Sequence, residues 1–430
     1  MTAVLGILNK HAVAIAADSA ATLSGPKGRK ISNTANKIFK LSQLHPVGVA
    51  IYSSSSYMRT PWEIIVNSYR KKHISTSFPL LQDYVVDFIK YLKEDFCPSQ
   101  EDERWVLNML CGIVWNNIEP NAINDNGGLT TSNVDSFVVM LEKIMEQHIA
   151  ELEKGGKYDS FADYTIEMFK KEYGAIIERF YQIILKERSL LQGHIEKSTF
   201  LSLLQKLVYL LIISPNKIQE STGLVFVGYG EDEYFPSMVS IDVAFAFASR
   251  MRCLLLNKDT ITKDADAAIY PFAQHDVIDT IIQGIEPSLE RQYVKNCYGA
   301  LKQMQEAIAN KIQSFDATLS DQVRNMNVKP IMQNLSAAND SIKKRKYIDP
   351  LLETVGSFSK EELANMAESM IALTSLKRKM TFDEESVGGP VDVAVISKSD
   401  GFVWIHRKHY FEKEMNIDYL LNKLKCYDHE

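Results

Sequence analysis

The sequence predicts an α+β fold in which antiparallel sheets are covered by helices, and three observations carry that prediction. Strand-like runs lie near both ends of the chain, while helical periodicity fills most of what separates them. The runs Ala3–Leu8 and Ala12–Ala17 are apolar and too short for a membrane span. They therefore start the chain inside a core, whereas a terminus is normally frayed and exposed. Elements with one apolar face bury it by stacking in layers, here two antiparallel sheets with helices on them.

Taken in order, Asn9–His11 is the polar turn between the first two strands. Gly25-Pro26-Lys27-Gly28 marks a loop, and short strands follow near Lys37–Leu41 and Val47–Tyr52. Thr60-Pro61-Trp62-Glu63 predicts a helix start, with Thr60 as N-cap and Pro61 at the first position. Leu81, Val85, Phe88, Leu92 and Phe96 recur at helical spacing, as do Val106, Leu110 and Val114. Asn124–Ser132 reads as a polar loop, and helices resume over Tyr164–Leu190 and Phe200–Ile213. Strands return at Gly223–Gly228 and Ser237–Phe247 around the acidic turn Tyr229–Tyr234, then at Met251–Leu256 and up to Ile269-Tyr270. A helix starts at Asp276, and Leu289, Tyr293, Cys297, Leu301, Met304, Ile308 and Ile312 form a stripe suited to a helical hairpin or a partner contact. Lys343–Lys346 is read as a solvated basic face. Ser359-Lys-Glu-Glu362 is a capping box, and its helix ends at Lys377-Arg378-Lys379, where cations complement the dipole. Val391–Ser397 and Phe402–His406 form a hairpin around Asp400-Gly401, and Glu412–Lys425 reads as an added helix.

With 430 residues the chain has room for two or three domains, or for one with large insertions. A net charge of −6 gives no reason to expect nucleic acid or an anionic membrane as partner. The five cysteines, Cys97, Cys111, Cys253, Cys297 and Cys426, are scattered without CxxC spacing. With no signal-like segment ahead of Thr2, a cytoplasmic location is expected.

The chemistry of the start is specific. If Met1 is removed, Thr2 carries a hydroxyl and a free α-amine on one residue. Such an amine titrates near roughly 7.7–8.0, so it can accept the hydroxyl proton at neutral pH. A threonine activated by its own amine is a recognised nucleophile. The alternative is that a small residue at position 2 merely favours methionine removal.

Thr2-Ala-Val-Leu-Gly-Ile, Ala16-Ala17-Asp18-Ser19-Ala20-Ala21-Thr22, Asn36-Lys37-Ile38-Phe39-Lys40-Leu41, Ser240-Ile241-Asp242 and Gly388-Gly389-Pro390-Val391-Asp392-Val393-Ala394-Val395-Ile396 occur in this order. These five stretches fall in three separated pieces of the chain, and in them it resembles the proteasome β-subunit family of N-terminal nucleophile hydrolases, with large helical insertions. The resemblance implies a four-layer αββα sandwich. It divides the chain into core pieces at 1–58, 221–286 and 358–411, helical insertions at 59–220 and 287–357, and an extension at 412–430.

The resemblance also implies a site. Thr2 is the nucleophile, Asp18 the carboxylate beside it, and Lys37 the cation that favours proton loss from the Thr2 hydroxyl. A bare alternative makes Asp18 a strand end and Lys37 a surface lysine. The oxyanion donor is the backbone N–H of Ser53, where the family has glycine. Ala21, Ala35, Ile51 and Ser55 line the first specificity pocket and suit apolar side chains. Three further family positions assist the amine, and here this chain departs. Matching Ile269-Tyr270 puts His275 at a serine, counting back from Gly388-Gly389 puts Glu384 at an aspartate, and Val387 replaces a second serine. His275 can take a proton near neutrality, or is simply a packed or surface residue.

His406 and His409 lack a completing ligand pattern, so no metal site is expected, and no cofactor. No P-loop is evident, so ATP-driven unfolding would need a separate ATPase. The expectation is a threonine-type peptidase acting on peptide or unfolded protein and assembling as a homo-oligomer. The alternatives are a catalytically silent scaffold subunit of the same fold, or an amidase for a small molecule.

Overall fold

A computed structural model describes residues 2–25, 28–96, 98–216, 218, 221–381, 387–412 and 414–417. The chain opens with strands β1 (Ala3–Asn9), β2 (Val13–Ala17), β3 (Ala21–Gly25), β4 (Gly28–Ser32), β5 (Ile38–Lys40), β6 (Val47–Ser53), β7 (Ser56–Tyr57) and β8 (Thr60–Pro61). Helices α1 (Trp62–Lys72), α2 (Leu81–Asp95), α3 (Gln100–Asn126), α4 (Val134–Lys154), α5 (Ile166–Glu187) and α6 (Lys197–Ile213) follow. Strands β9 (Thr222–Gly228), β10 (Ser237–Phe247), β11 (Arg250–Thr260) and β12 (Ala267–Ala273) come next. Then come α7 (Asp276–Gln283), α8 (Pro287–Ile312), α9 (Ala317–Arg324), α10 (Lys329–Lys343), α11 (Asp349–Gly356), α12 (Lys360–Met380), β13 (Asp392–Ser397) and β14 (Gly401–His406).

The result is a mixed α+β fold with two five-stranded antiparallel sheets, ordered β12-β1-β2-β13-β14 and β11-β10-β9-β6-β5. Side chains alternate between faces along a strand, so each buried strand feeds two cores. Val4, Leu8, Val13 and Ile15 of the first sheet pack with Ala50, Val225 and Val227 of the second. Ala3, Leu5, Ala14 and Ala16 face the other way, onto Leu363, Ala367 and Ile371 of α12. The opposite face of the second sheet packs Val49, Leu224 and Phe226 against Trp62, Ile65 and Phe88 of α1 and α2. The two sheets approach closely at Gly48, where a Cβ would stand 2.7 Å from Ile396 Cδ1 and 2.9 Å from Phe402. Helices α3–α6 enclose a fourth core around Leu110, Phe137, Phe169 and Phe200, tied to the sheet by Phe245 and Phe247 of β10.

Several elements differ from the expected ones. The antiparallel pair β3–β4 lies on either side of the segment read as a loop at Gly25–Gly28, where the sequence announced no strands. Helix α1 starts one residue late: Pro61 is its N-cap, without a side-chain cap, because Thr60 and Pro61 are held in a ladder with Ser56 and Tyr57. Helix α3 runs on to Asn126, shortening the polar loop read over Asn124–Ser132. Strand β12 runs three residues past Tyr270, drawn on by its pairing with β1 as far as Ala3 and Ala273. Helix α8 packs on α9 through its buried Gln305 and Ala309, with Ser320 Oγ donating to Ala309 O, rather than through the predicted stripe, of which Leu289, Tyr293, Met304 and Ile308 are exposed. Of the added C-terminal helix, only a short turn at Glu414–Asn416 is described, and the remainder lies outside the described residues. No helix among the described residues is long and apolar enough to cross a membrane.

Candidate active site

The start of β1, the end of β2 and the end of β12 meet at Thr2. The β1–β2 turn is held by Asn9, whose side-chain oxygen accepts the N–H groups of His11 and Ala12, which sets the register Val4 to Ala17. That register puts Asp18 beside the start of β1. The Asp18 N–H donates to Ala3 O at 3.2 Å, and the Ala3 N–H donates to Asp18 Oδ1 at 2.9 Å. On the other side of β1, the Gln274 N–H donates to Thr2 O at 3.1 Å. Thr2 is thereby fixed between β2 and β12 and is 6% exposed.

Asp18, 1% exposed, is the hub. Its Oδ1 accepts from Ala3 N–H and from Lys37 Nζ at 2.6 Å, and its Oδ2 from Ala20 N–H at 3.0 Å and Gly388 N–H at 3.1 Å. Four donors fill the roughly four acceptor sites of a carboxylate. Asp18 therefore has no acceptor site left to take a proton from a neighbouring hydroxyl. The ion pair with Lys37 joins the two sheets, because Lys37 precedes β5 and its carbonyl is fixed by the Ile51 N–H of β6 at 2.8 Å. Burial pushes the Lys37 ammonium below its ordinary range, and Asp18 opposes that shift through charge and hydrogen bond. One bond to Asp18 leaves two of the three ammonium donors for other acceptors.

Ser53 closes β6 on the same edge, exposed, with φ +71°. That left-handed backbone is the one glycine adopts without strain, which explains why a glycine suits this position. Beside it the Tyr52 ring lies over Gly223, where a Cβ would fall 1.9 Å from the ring, and stacks on Phe272 at 5.7 Å. Burial raises the Tyr52 phenol to about 12, so the ring is neutral packing. Ala273, at the end of β12, is also left-handed, with φ +64°.

The other sequence-derived residues are distributed as follows. Ala21 opens β3, half-buried. Ala35 is half-buried and donates its N–H to Ser19 O. Ser55 is exposed, with its carbonyl on the Trp62 N–H. The Ile51 side chain belongs to the core under α1 and α2. His275 caps α7 one residue from Gln274, but its ring is 56% exposed and bonds Asp279 through Nδ1. Val387 is buried under α12. Glu384 lies outside the described residues. Among the described residues no group of three or more His, Cys, Asp and Glu is placed to hold a metal.

Sequence reasoning missed three contributors. Ser19 donates its N–H to Gly388 O and its hydroxyl to Pro390 O, stitching the Gly-Gly segment to β2. Gln274 anchors Thr2. Asp392 and Lys408 form a second buried pair nearby. A charged residue inside the apolar run Val391–Ile396 was the available signal for the last. A polar cleft of about 510 Å³, lined by Glu103, Arg104, Tyr164, Glu172 and Arg250, shares no residue with this cluster.

No family model matches the chain, and neither does any curated protein. Solved structures match by shape, two of them as follows. One is an Anbu (Gly-1) mutant from Hyphomicrobium sp. strain MC1, with 8% identity over 100% of this chain and 97% of that chain, at a TM-score of 0.29. The other is Anbu, an ancestral β-subunit, from Yersinia bercovieri, with 8% identity over 99% and 97%, at a TM-score of 0.24. Scores this low leave the reading of the site to rest on its own geometry.

Proposed function

We propose that this chain is a threonine-type hydrolase of the proteasome-like class, cleaving peptide amide bonds through an acyl-enzyme on Thr2. The observation that carries the proposal is the buried Asp18–Lys37 pair beside a clamped Thr2. A buried ion pair stabilises a fold little, if at all. Next to a hydroxyl it supplies a fixed cation where an alkoxide develops. Once Met1 is removed, the Thr2 amine takes the hydroxyl proton while Oγ1 attacks the amide carbonyl. The Ser53 N–H receives the oxyanion, and the amine returns the proton to the departing amine. Water, activated by the same amine, then releases the acyl group and regenerates Thr2. The layers described above are read as a four-layer αββα sandwich, with 59–220 and 287–357 as insertions into it. The proposal includes a cytoplasmic setting, self-assembly, peptide or unfolded protein as substrate, and a separate ATPase for folded substrates.

A second reading, a silent scaffold subunit, is favoured by Val387 in the core and by the His275 ring bonded to Asp279. An amidase acting on a small molecule is separated from the peptidase by comparing peptides with small amides as substrates.

The test is intact mass after incubation with a peptide epoxyketone, a warhead that needs an amine and a hydroxyl on one residue. The expected result is loss of Met1 and one adduct, absent in Thr2→Ala. Loss of Met1 without an adduct would favour the silent subunit, and retained Met1 would rule the mechanism out for that form.

A further inference from the structure

Asp392 opens β13 opposite Ala17, the residue before Asp18, so a second carboxylate stands one register step from the first. Lys408, from the segment after β14, donates its backbone N–H to Asp392 Oδ1 at 2.9 Å and its ammonium to Oδ2. Asp392 is 3% exposed, and the Lys408 side chain 12%. The rest of β13 is Val, Ala and Ile up to Ser397, and an apolar pair of similar volume would serve the fold at least as well. The same segment is bound to the site at its other end, where Gly388 donates to Asp18 and accepts from Ser19. Two cations and two carboxylates thus share one end of the sheets.

We propose that Asp392 and Lys408, held beside the Asp18–Lys37 pair by the register of Asp392 with Ala17, form a positioning pair for that site and set the upper pH limit of the Thr2 chemistry. The inference rests on the nucleophile reading of Thr2. Among the described residues, the charged groups bearing on Lys37 are Asp18 at the end of β2, Lys408 after β14 and Asp392 in β13. The freed amine of Thr2 joins them once Met1 is gone. Burial loosens the Lys37 proton most, Lys408 loosens it further, and Asp392 tightens it. Lys37 serves as a cation, so activity falls as pH rises through its folded pKa. Removing Lys408 leaves Asp392 to act alone and moves that alkaline limb up. Removing the Asp392 charge leaves Lys408 unopposed and moves it down.

The experiment is the pH profile of Thr2 modification by a peptide epoxyketone, followed by intact mass on the full chain, for wild type, Lys408→Met, Asp392→Asn and Lys408→Arg. The expected result is opposite shifts of the alkaline limb, each of roughly one pH unit, up for Lys408→Met and down for Asp392→Asn. Lys408→Arg keeps the wild-type limb. A merely structural pair would lower the amplitude at every pH without moving the limb. Shifts of the same sign, or none, with wild type still modified, would overturn the inference alone. If one neutralising variant does not fold, the sign of the other against Lys408→Arg decides. An unmodified wild type across the whole range would remove the nucleophile reading, and this inference with it.

Discussion

Ser53 holds a left-handed backbone at the position proposed to present the oxyanion donor. A non-glycine residue there costs about 1–2 kcal/mol, because its Cβ approaches its own carbonyl. Glycine removes that strain and returns part of the gain as unfolded-chain entropy. Ser53→Gly should therefore raise the denaturant midpoint, by roughly 0.5–1 kcal/mol at unchanged slope, without slowing Thr2 modification. Ser53→Val should lose about 1 kcal/mol or more, since a β-branched residue is an outlier at this φ. Equal midpoints for the two variants would mean that the strain is not stored at this residue. The serine itself was readable from the sequence as a departure; its φ was not, because Ser53 pairs with Thr222 of β9, beyond β7, β8 and α1–α6 in the chain. Asp18 and Lys37 were legible through the family resemblance alone, because a charge beside an apolar run reads the same as a strand end or a surface lysine until its partner, here on the other sheet, is known.

Helix α12 shows how an element outside the site holds it in place. Its apolar face lies on β1, β2 and β13, the strands that end at Thr2, Asp18 and Asp392. Its start is capped by Ser359, which accepts the Glu362 N–H at 3.3 Å while Glu362 accepts the Ser359 N–H at 2.7 Å. At its far end Lys377 and Arg378 reach Asp276 in the first turn of α7, so the two helices are tied where α7 leaves β12. Ser359→Ala should cost about 1 kcal/mol of global stability, read by chemical denaturation, because one orphan N–H loses its acceptor. The rate of epoxyketone modification should stay at the wild-type value, since the cap lies at the end of α12 away from Lys377 and Arg378. A rate that falls with stability would show that the helix end bears on the site. This boundary was legible because a capping box is local in sequence. The start of α1 was not, because Thr60 is claimed by the ladder with Tyr57, a contact that no local signal announces.

At the scale of the molecule, the two helical stretches are held differently. Helices α3–α6 have a core of their own, with Phe245 and Phe247 of β10 inserted into it. The stretch 287–348 contributes no residue to the four buried core clusters, and Leu289, Tyr293, Met304, Ile308, Ile331 and Leu335 stand exposed on it. Periodicity revealed the stripe on α8 but not what faces it, since an apolar stripe reads the same whether it meets a core or nothing within the chain. The stretch departs from and returns to a single point: a Cβ on Gly284 would lie 2.6 Å from the Tyr347 ring. A loop whose ends adjoin can be replaced by a short linker at little entropic cost. Excision of residues 287–346, with a short glycine-serine linker, should therefore leave one cooperative thermal transition. The excised chain should still take up one epoxyketone adduct on Thr2 wherever the full chain does. Its stability should lie within about 1 kcal/mol of the full chain, because the removed contacts are mostly its own. Loss of the cooperative transition would mean that α8–α10 help hold α7, and through it the end of β12 that clamps Thr2.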